Sequence, residues 1–172
     1  IGSAGIKSAF QKYVAEATGS GDFLKANQLL TTGSAAMLVL SIIGLIPVAI
    51  FSDSLARLIG VPDHFLDSTA GSISVLALIM VLSNMGAVYE SIVMGGHRID
   101  LTRKLRTLFT ILEAIGVVVC LYLGYGLQAM SAIMALSEIG YLLCCYVASR
   151  RVLPAIQISI THLSQKVLRE LV

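Results

Sequence analysis

GSAAMLVLSIIGLIPVAIF, residues 33–51, carries no charged side chain at all. As an α-helix such a run is about 28 Å long, close to the roughly 30 Å hydrocarbon core of a bilayer. Its polarity does not alternate from residue to residue. In lipid it must therefore satisfy its backbone hydrogen bonds internally, as a helix. Working outward, three more runs have the same character: Ser68–Gly95, Leu108–Gly126 and Leu127–Ser149, with no Lys or Arg in any of them. The chain as a whole is 56% hydrophobic and 13% charged, with mean hydropathy +0.87. A soluble domain averages about 25% charged residues, so there is too little charge here to cover a water-facing surface. The expected fold class is an all-α integral membrane protein, a polytopic bundle of four full transmembrane helices with flanking cytoplasmic amphipathic helices. It reads as one membrane domain over residues 1–172, with spans at 23–51, 68–95, 105–125 and 127–149.

The formal charge of +2 matters less than its placement. Lys7, Lys12 and Lys25 precede the first span. Arg98, Arg103, Lys104 and Arg106 fall between the second and third. Arg150, Arg151, Lys166 and Arg169 follow the fourth. Of the basic residues only Arg57 lies on the opposite side, whose first loop carries Asp53, Asp63 and Asp67. Basic residues are retained in the cytoplasm. Both ends are therefore expected inside, with residues 52–68 and the Gly124-Tyr-Gly126 turn outside. The basic run from Arg98 to Arg106 is then a topological signal rather than a nucleic-acid contact.

Outside the spans, Ile6, Ala9, Phe10, Tyr13, Val14 and Ala17 recur at helical spacing, with Lys7, Gln11, Lys12 and Glu16 opposite. This predicts an amphipathic helix over residues 1–18 that closes at Gly19-Ser-Gly21. Asp22 is placed to cap the next helix. Pro47 removes one backbone donor from the first span. Leu55, Leu58 and Ile59 are expected along the outer interface, with Arg57 reaching headgroups. Residues 152–172 read as a cytoplasmic connection. Val167, Leu168 and Leu171 resemble the opening turns of another helix. The chain opens on Ile1 with no signal peptide, and both ends read as cut from a longer protein. Cys120, Cys144 and Cys145 lie inside spans without CxxC spacing, as small packing residues.

Each span also shows a stripe of small and polar residues: Ser34, Ser41 and Gly44; Ser72, Ser83, Gly86 and Glu90; Thr110, Glu113 and Cys120; Ser131, Ala135, Glu138 and Cys145. Such stripes let helices approach closely in lipid and are expected as packing seams. The three glutamates are more informative. A charge near mid-span costs about 2.5–3.5 kcal/mol on insertion scales, while each large apolar residue returns only about 0.3–0.6. Glu138 thus cancels the insertion gain of roughly five to ten apolar neighbours. It is expected to face a bundle interior or a water-filled cavity. Glu113 is placed to pair with Arg106 or with another helix, and Glu90, near Gly95, to reach the interface. The candidate cavity residues are Glu138, Glu113, Glu90, Ser131 and Ser83. No phosphate loop, zinc-binding His pair or nucleophile elbow is present, and His64, His97 and His162 fall in separate loops. The sequence accordingly predicts no cofactor, no metal and no enzyme.

Several stretches resemble bacterial polysaccharide and O-antigen flippases. Lys12-Tyr-Val-Ala-Glu16 followed by Gly19-Ser-Gly-Asp22 is similar to the cytoplasmic end of that family's second helix. Arg57-Leu-Ile-Gly-Val-Pro62 looks like the loop after its third helix. Gly95-Gly-His-Arg98 and the Gly124-Tyr-Gly126 hairpin are similar too. These flippases share a superfamily with multidrug and toxin extrusion transporters and the lipid II flippase. The resemblance implies that the four spans are helices three to six of an N-terminal six-helix lobe. It implies alternating access between two lobes in the bacterial inner membrane. The partners it implies are the bilayer, a lipid-linked oligosaccharide cargo and the remaining helices of the same transporter. One departure stands out. A pyrophosphate-linked head needs a cationic path, whereas these spans carry only carboxylates. The positive charge must come from other helices or from cytoplasmic arginines. The runner-up is a cation-coupled drug antiporter of the same superfamily, which the acidic residues suit. A non-transporting assembly or anchor protein is a third reading.

Overall fold

The computed structural model describes residues 2–21 and 23–156, without the side chains of residues 2–7, 9, 17 and 25. Among these residues the chain is helical with no strand. The elements are α1 (Gly2–Ser20), α2 (Phe23–Ile50), α3 (Ser52–Leu58), a 3-10 turn (Asp63–Phe65), α4 (Leu66–Gly95), α5 (Ile99–Tyr122) and α6 (Leu127–Val152). Four of them, α2, α4, α5 and α6, are long and apolar enough to cross a membrane. The all-α membrane architecture expected from the apolar runs is the one the molecule has. The caps expected from Asp22 and the helical turns expected after Ser164 lie outside the described residues.

Helix α4 is the centre of the bundle. It packs against α6, α2, α1, α3 and α5, while α5 rests mainly on α6. At the end of α4 nearest α1, Phe10, Val14, Leu30, Met37, Val88, Ile92 and Ile156 form one buried cluster. Phe10 and Val14 belong to the apolar stripe read from α1, and Lys12 and Glu16 on its other face are exposed. The first half of α2 is buried even where it is polar: Asn27, Thr31, Thr32 and Ser34 all lie inside. The Asn27 amide donates to the Ala155 carbonyl at 3.2 Å, tying the start of α2 to the chain beyond α6. The second half of α2 turns Leu40, Ile43, Ile46 and Ile50 outward, as do Leu108, Ile111, Ile115 and Val118 of α5. In water that surface would drive aggregation. In lipid it is the solvent-compatible face.

The stripes of small residues divide once the packing is seen. Ser72, Gly86, Ser131 and Cys145 are buried along the α4–α6 contact, but Gly44 and Thr110 are exposed. Ser41, half-buried, accepts a hydrogen bond from the Asn84 amide at 2.8 Å, joining α2 to α4. Helix α5 begins at Ile99, so Arg103, Lys104 and Arg106 sit within its first two turns rather than in a loop. Asp100 in the first turn suits the positive end of the helix dipole. The buried Thr102 closes its hydroxyl on the Ile99 carbonyl at 2.9 Å.

The Gly95-Gly96 pair does not supply the left-handed turn that ends α4. His97 does, at φ 61°. A Cβ on Gly95 would instead collide with Val14 of α1 and crowd the Ala15 backbone. One on Gly96 would strike Val152 at the end of α6, 2.5 Å away. The two glycines let three helix ends meet at one corner.

On the opposite side, α3 leaves Leu58 and Ile59 exposed beside Arg57, with Leu55 half-buried. That is the arrangement of a short helix lying at a membrane interface.

Candidate functional site

A polar cavity lies between α4, α5 and α6. Ser83, Ala87 and Glu90 recur at four and three residues along one face of α4 and form one wall of a cavity of about 260 Å³. Glu138 and Tyr141, one turn apart on α6, form another. Arg106 enters from α5. Its Nη1 donates to Glu138 Oε2 at 3.1 Å and to Oε1 at 3.4 Å. The guanidinium also lies over the Tyr141 ring, 4.8 Å from its centroid. Spacing explains how one side chain does both, since residues three apart on a helix stack one above the other. The same holds on α5, where Phe109, three residues after Arg106, meets Tyr141 edge-on at 6.1 Å.

The ion pair is lopsided. The Glu138 side chain is 10% exposed and that of Arg106 is 53% exposed. Glu138 has therefore lost most of its water and depends on the cation, while Arg106 keeps access to whatever fills the open side of the cavity. Gly86 of α4 faces the pair at ordinary contact distance. A Cβ there would sit 4.0 Å from Glu138 Oε1 and 3.9 Å from the Tyr141 ring. Tyr141 is fully buried, and its hydroxyl closes no hydrogen bond of good geometry; what it meets is the weak Cys145 thiol one turn on. A buried hydroxyl left this way is a standing acceptor and donor for a bound polar group or water.

The five residues singled out from the sequence separate here. Glu138, Glu90 and Ser83 meet in the cavity. Ser131 does not. It is buried two turns along α6, with its hydroxyl donated to the Gln128 carbonyl at 2.9 Å. Glu113 lies apart as well, in an apolar cleft with Phe109, Leu112, Ile133, Leu136 and Ser137. Its expected pairing with Arg106 is not formed, because the guanidinium turns across to α6. Among the described residues Glu113 makes no ion pair. The spans do not carry only carboxylates, because Arg106, two turns inside α5, brings a cation into the cavity. Arg106 and Tyr141 were missed as site residues. An Arg seven positions inside a helix that continues as an apolar run was the available signal, had α5 been started at Ile99.

No curated protein and no solved structure matches the chain. The MatE family model matches residues 1–102, which covers α1 to α4 and the first turn of α5 and leaves Arg106 and Glu138 beyond it. With more than half its length matched, and with four apolar helices able to cross a membrane, the chain belongs to the MatE family and is a multi-pass membrane exporter.

Proposed function

We propose that this protein flips a lipid-linked oligosaccharide across the bacterial inner membrane by alternating access. The observation that carries the reading is the cavity in which Arg106 stands beside Glu138, Glu90, Ser83 and the Tyr141 ring. Such a cargo presents two chemistries at once. Its sugar hydroxyls ask for carboxylate acceptors and aromatic faces, and its phosphate groups ask for a guanidinium. Both are supplied within one chamber, walled by apolar helices along whose outer faces the lipid tail can stay. No bond in the cargo is made or broken. Two carboxylates in the same cavity favour a second reading, a cation-coupled antiporter of small molecules, in which Glu90 or Glu138 carries the coupling charge.

Deleting the gene separates the two. A flippase null is expected to lose surface polysaccharide and accumulate lipid-linked repeat units on the cytoplasmic leaflet. Unchanged polysaccharide with raised drug sensitivity would instead establish the antiporter. The orientation proposed with this function puts the α4–α5 corner in the cytoplasm, on the strength of the basic residues around it. Thr102 is buried and so makes a poor reporter, whereas Asp100 is exposed. Asp100→Cys is expected to resist an impermeant thiol reagent in intact cells, and ready labelling there would reverse the topology.

A further inference from the structure

A second cavity, of about 350 Å³, runs along the seam between the start of α5 and the end of α6, outside the charged chamber. Leu101 and Leu105 form one side, and Leu143, Val147 and Ala148 the other, with Arg151 at its end. On α6 the exposed Leu143 and Val147 stand away from the buried Tyr141 and Cys145, so the groove opens outward rather than into the chamber. No carboxylate lines it. Because α5 and α6 are joined by the short turn between Tyr122 and Leu127, the first turns of α5 and the last turn of α6 lie at the same end of the hairpin. That end carries Arg103, Lys104, Arg150 and Arg151 against one acidic residue, Asp100. Arg150 is stacked over Tyr146, 5.5 Å from its ring centroid. Arg151 makes no ion pair or hydrogen bond among the described residues.

We infer that this groove holds an acyl chain of an anionic glycerophospholipid whose phosphate sits on Arg151. The occupant follows from the order of chemistries along the groove. An apolar channel at membrane depth admits a hydrocarbon chain, and an unpaired guanidinium at the basic edge fixes the sign of the headgroup. A zwitterionic lipid also brings a phosphate, but its ammonium is repelled by Arg151 and the neighbouring Arg103, Lys104 and Arg150. A soluble anion would leave the channel empty. The site does not depend on which cargo the chamber carries, and it makes the α5–α6 hairpin sensitive to the composition of the leaflet it faces.

The chain contains no Trp, so a single introduced Trp reports on the groove. The protein carrying Leu105→Trp, reconstituted in vesicles of brominated phosphatidylglycerol or brominated phosphatidylcholine, is expected to be quenched preferentially by the anionic lipid. One favourably placed cation near the surface corresponds to about a fivefold preference. Adding Arg151→Gln is expected to abolish the preference, and Arg151→Lys to retain it. Arg57→Gln, at the opposite end of the bundle, should leave it unchanged. Equal quenching by the two lipids in the presence of Arg151 would mean that bulk lipid merely wets the seam, and would overturn the inference. Absence of quenching by either would mean that a protein helix fills the groove, and would overturn it equally.

Discussion

Arg106→Met is expected to lower the thermal stability of the detergent-solubilised protein more than any other single change at the cavity, and to reduce its abundance in the membrane. The stem length is kept and only the cation is lost. What remains is Glu138, 10% exposed, with Oε1 beside Gly86. Breaking a buried ion pair by removing one partner costs about 3–5 kcal/mol, and the low end applies because Arg106 is half exposed. Arg106→Lys retains the charge but not the two-oxygen contact or the flat stack on Tyr141, and should fall between. The double variant Arg106→Met with Glu138→Leu is expected to recover most of the loss, since no stranded charge remains. If the single and double variants melt together, the pair is not coupled and its stabilising role is refuted.

The second large effect is on export rather than stability. Glu138→Gln keeps the size of the side chain and can still accept from Arg106, so normal abundance is expected. Hydrogen bonds to a charged group are worth about 1.5–3 kcal/mol, against about 0.5–1.5 for neutral ones. If the protein is the flippase proposed above, losing that difference is expected to cut surface polysaccharide about tenfold. Full export by the Gln variant at normal expression would leave Glu138 a helix fastener and remove it from the cavity machinery. The two substitutions thus act on the same 3.1 Å contact and read out differently. One strands a charge; the other silences it.

Most of the fold could be read from the residues because it is written locally. Each span is decided by the length of its own apolar run, and the amphipathic face of α1 by its own spacing. The cavity is a tertiary object and was only half legible. Glu138 announced itself through the cost of a mid-span charge, but Glu113 has the same sequence credentials and ends in an apolar cleft. The two differ only in which way their helices present them, and nothing local encodes that. Arg106 was hidden by a boundary. At the very start of a span read as 105–125 it serves topology; two turns inside a helix starting at Ile99, its long side chain reaches Glu138, 32 positions on. Tyr141 carries no local signal in the sequence, and only packing shows a hydroxyl left without a good partner. Gly95 and Gly96 sit at the end of α4. Their use is spatial, against Val14 and Val152, which no short window of sequence joins.

The central place of α4 bears on the order of assembly. A nascent chain delivers α1 and α2 to the membrane before α4, and among the described helices α2 packs against α1, α3 and α4. Until residue 95 has emerged, the hydroxyls of Thr31, Thr32 and Ser34, all buried in the finished bundle, have little but α1 to shield them from acyl chains. Arrival of α4 then covers α2 and α1 together and offers α6 its seat. Insertion is sequential, but closure of this bundle is a single late event that hinges on one helix.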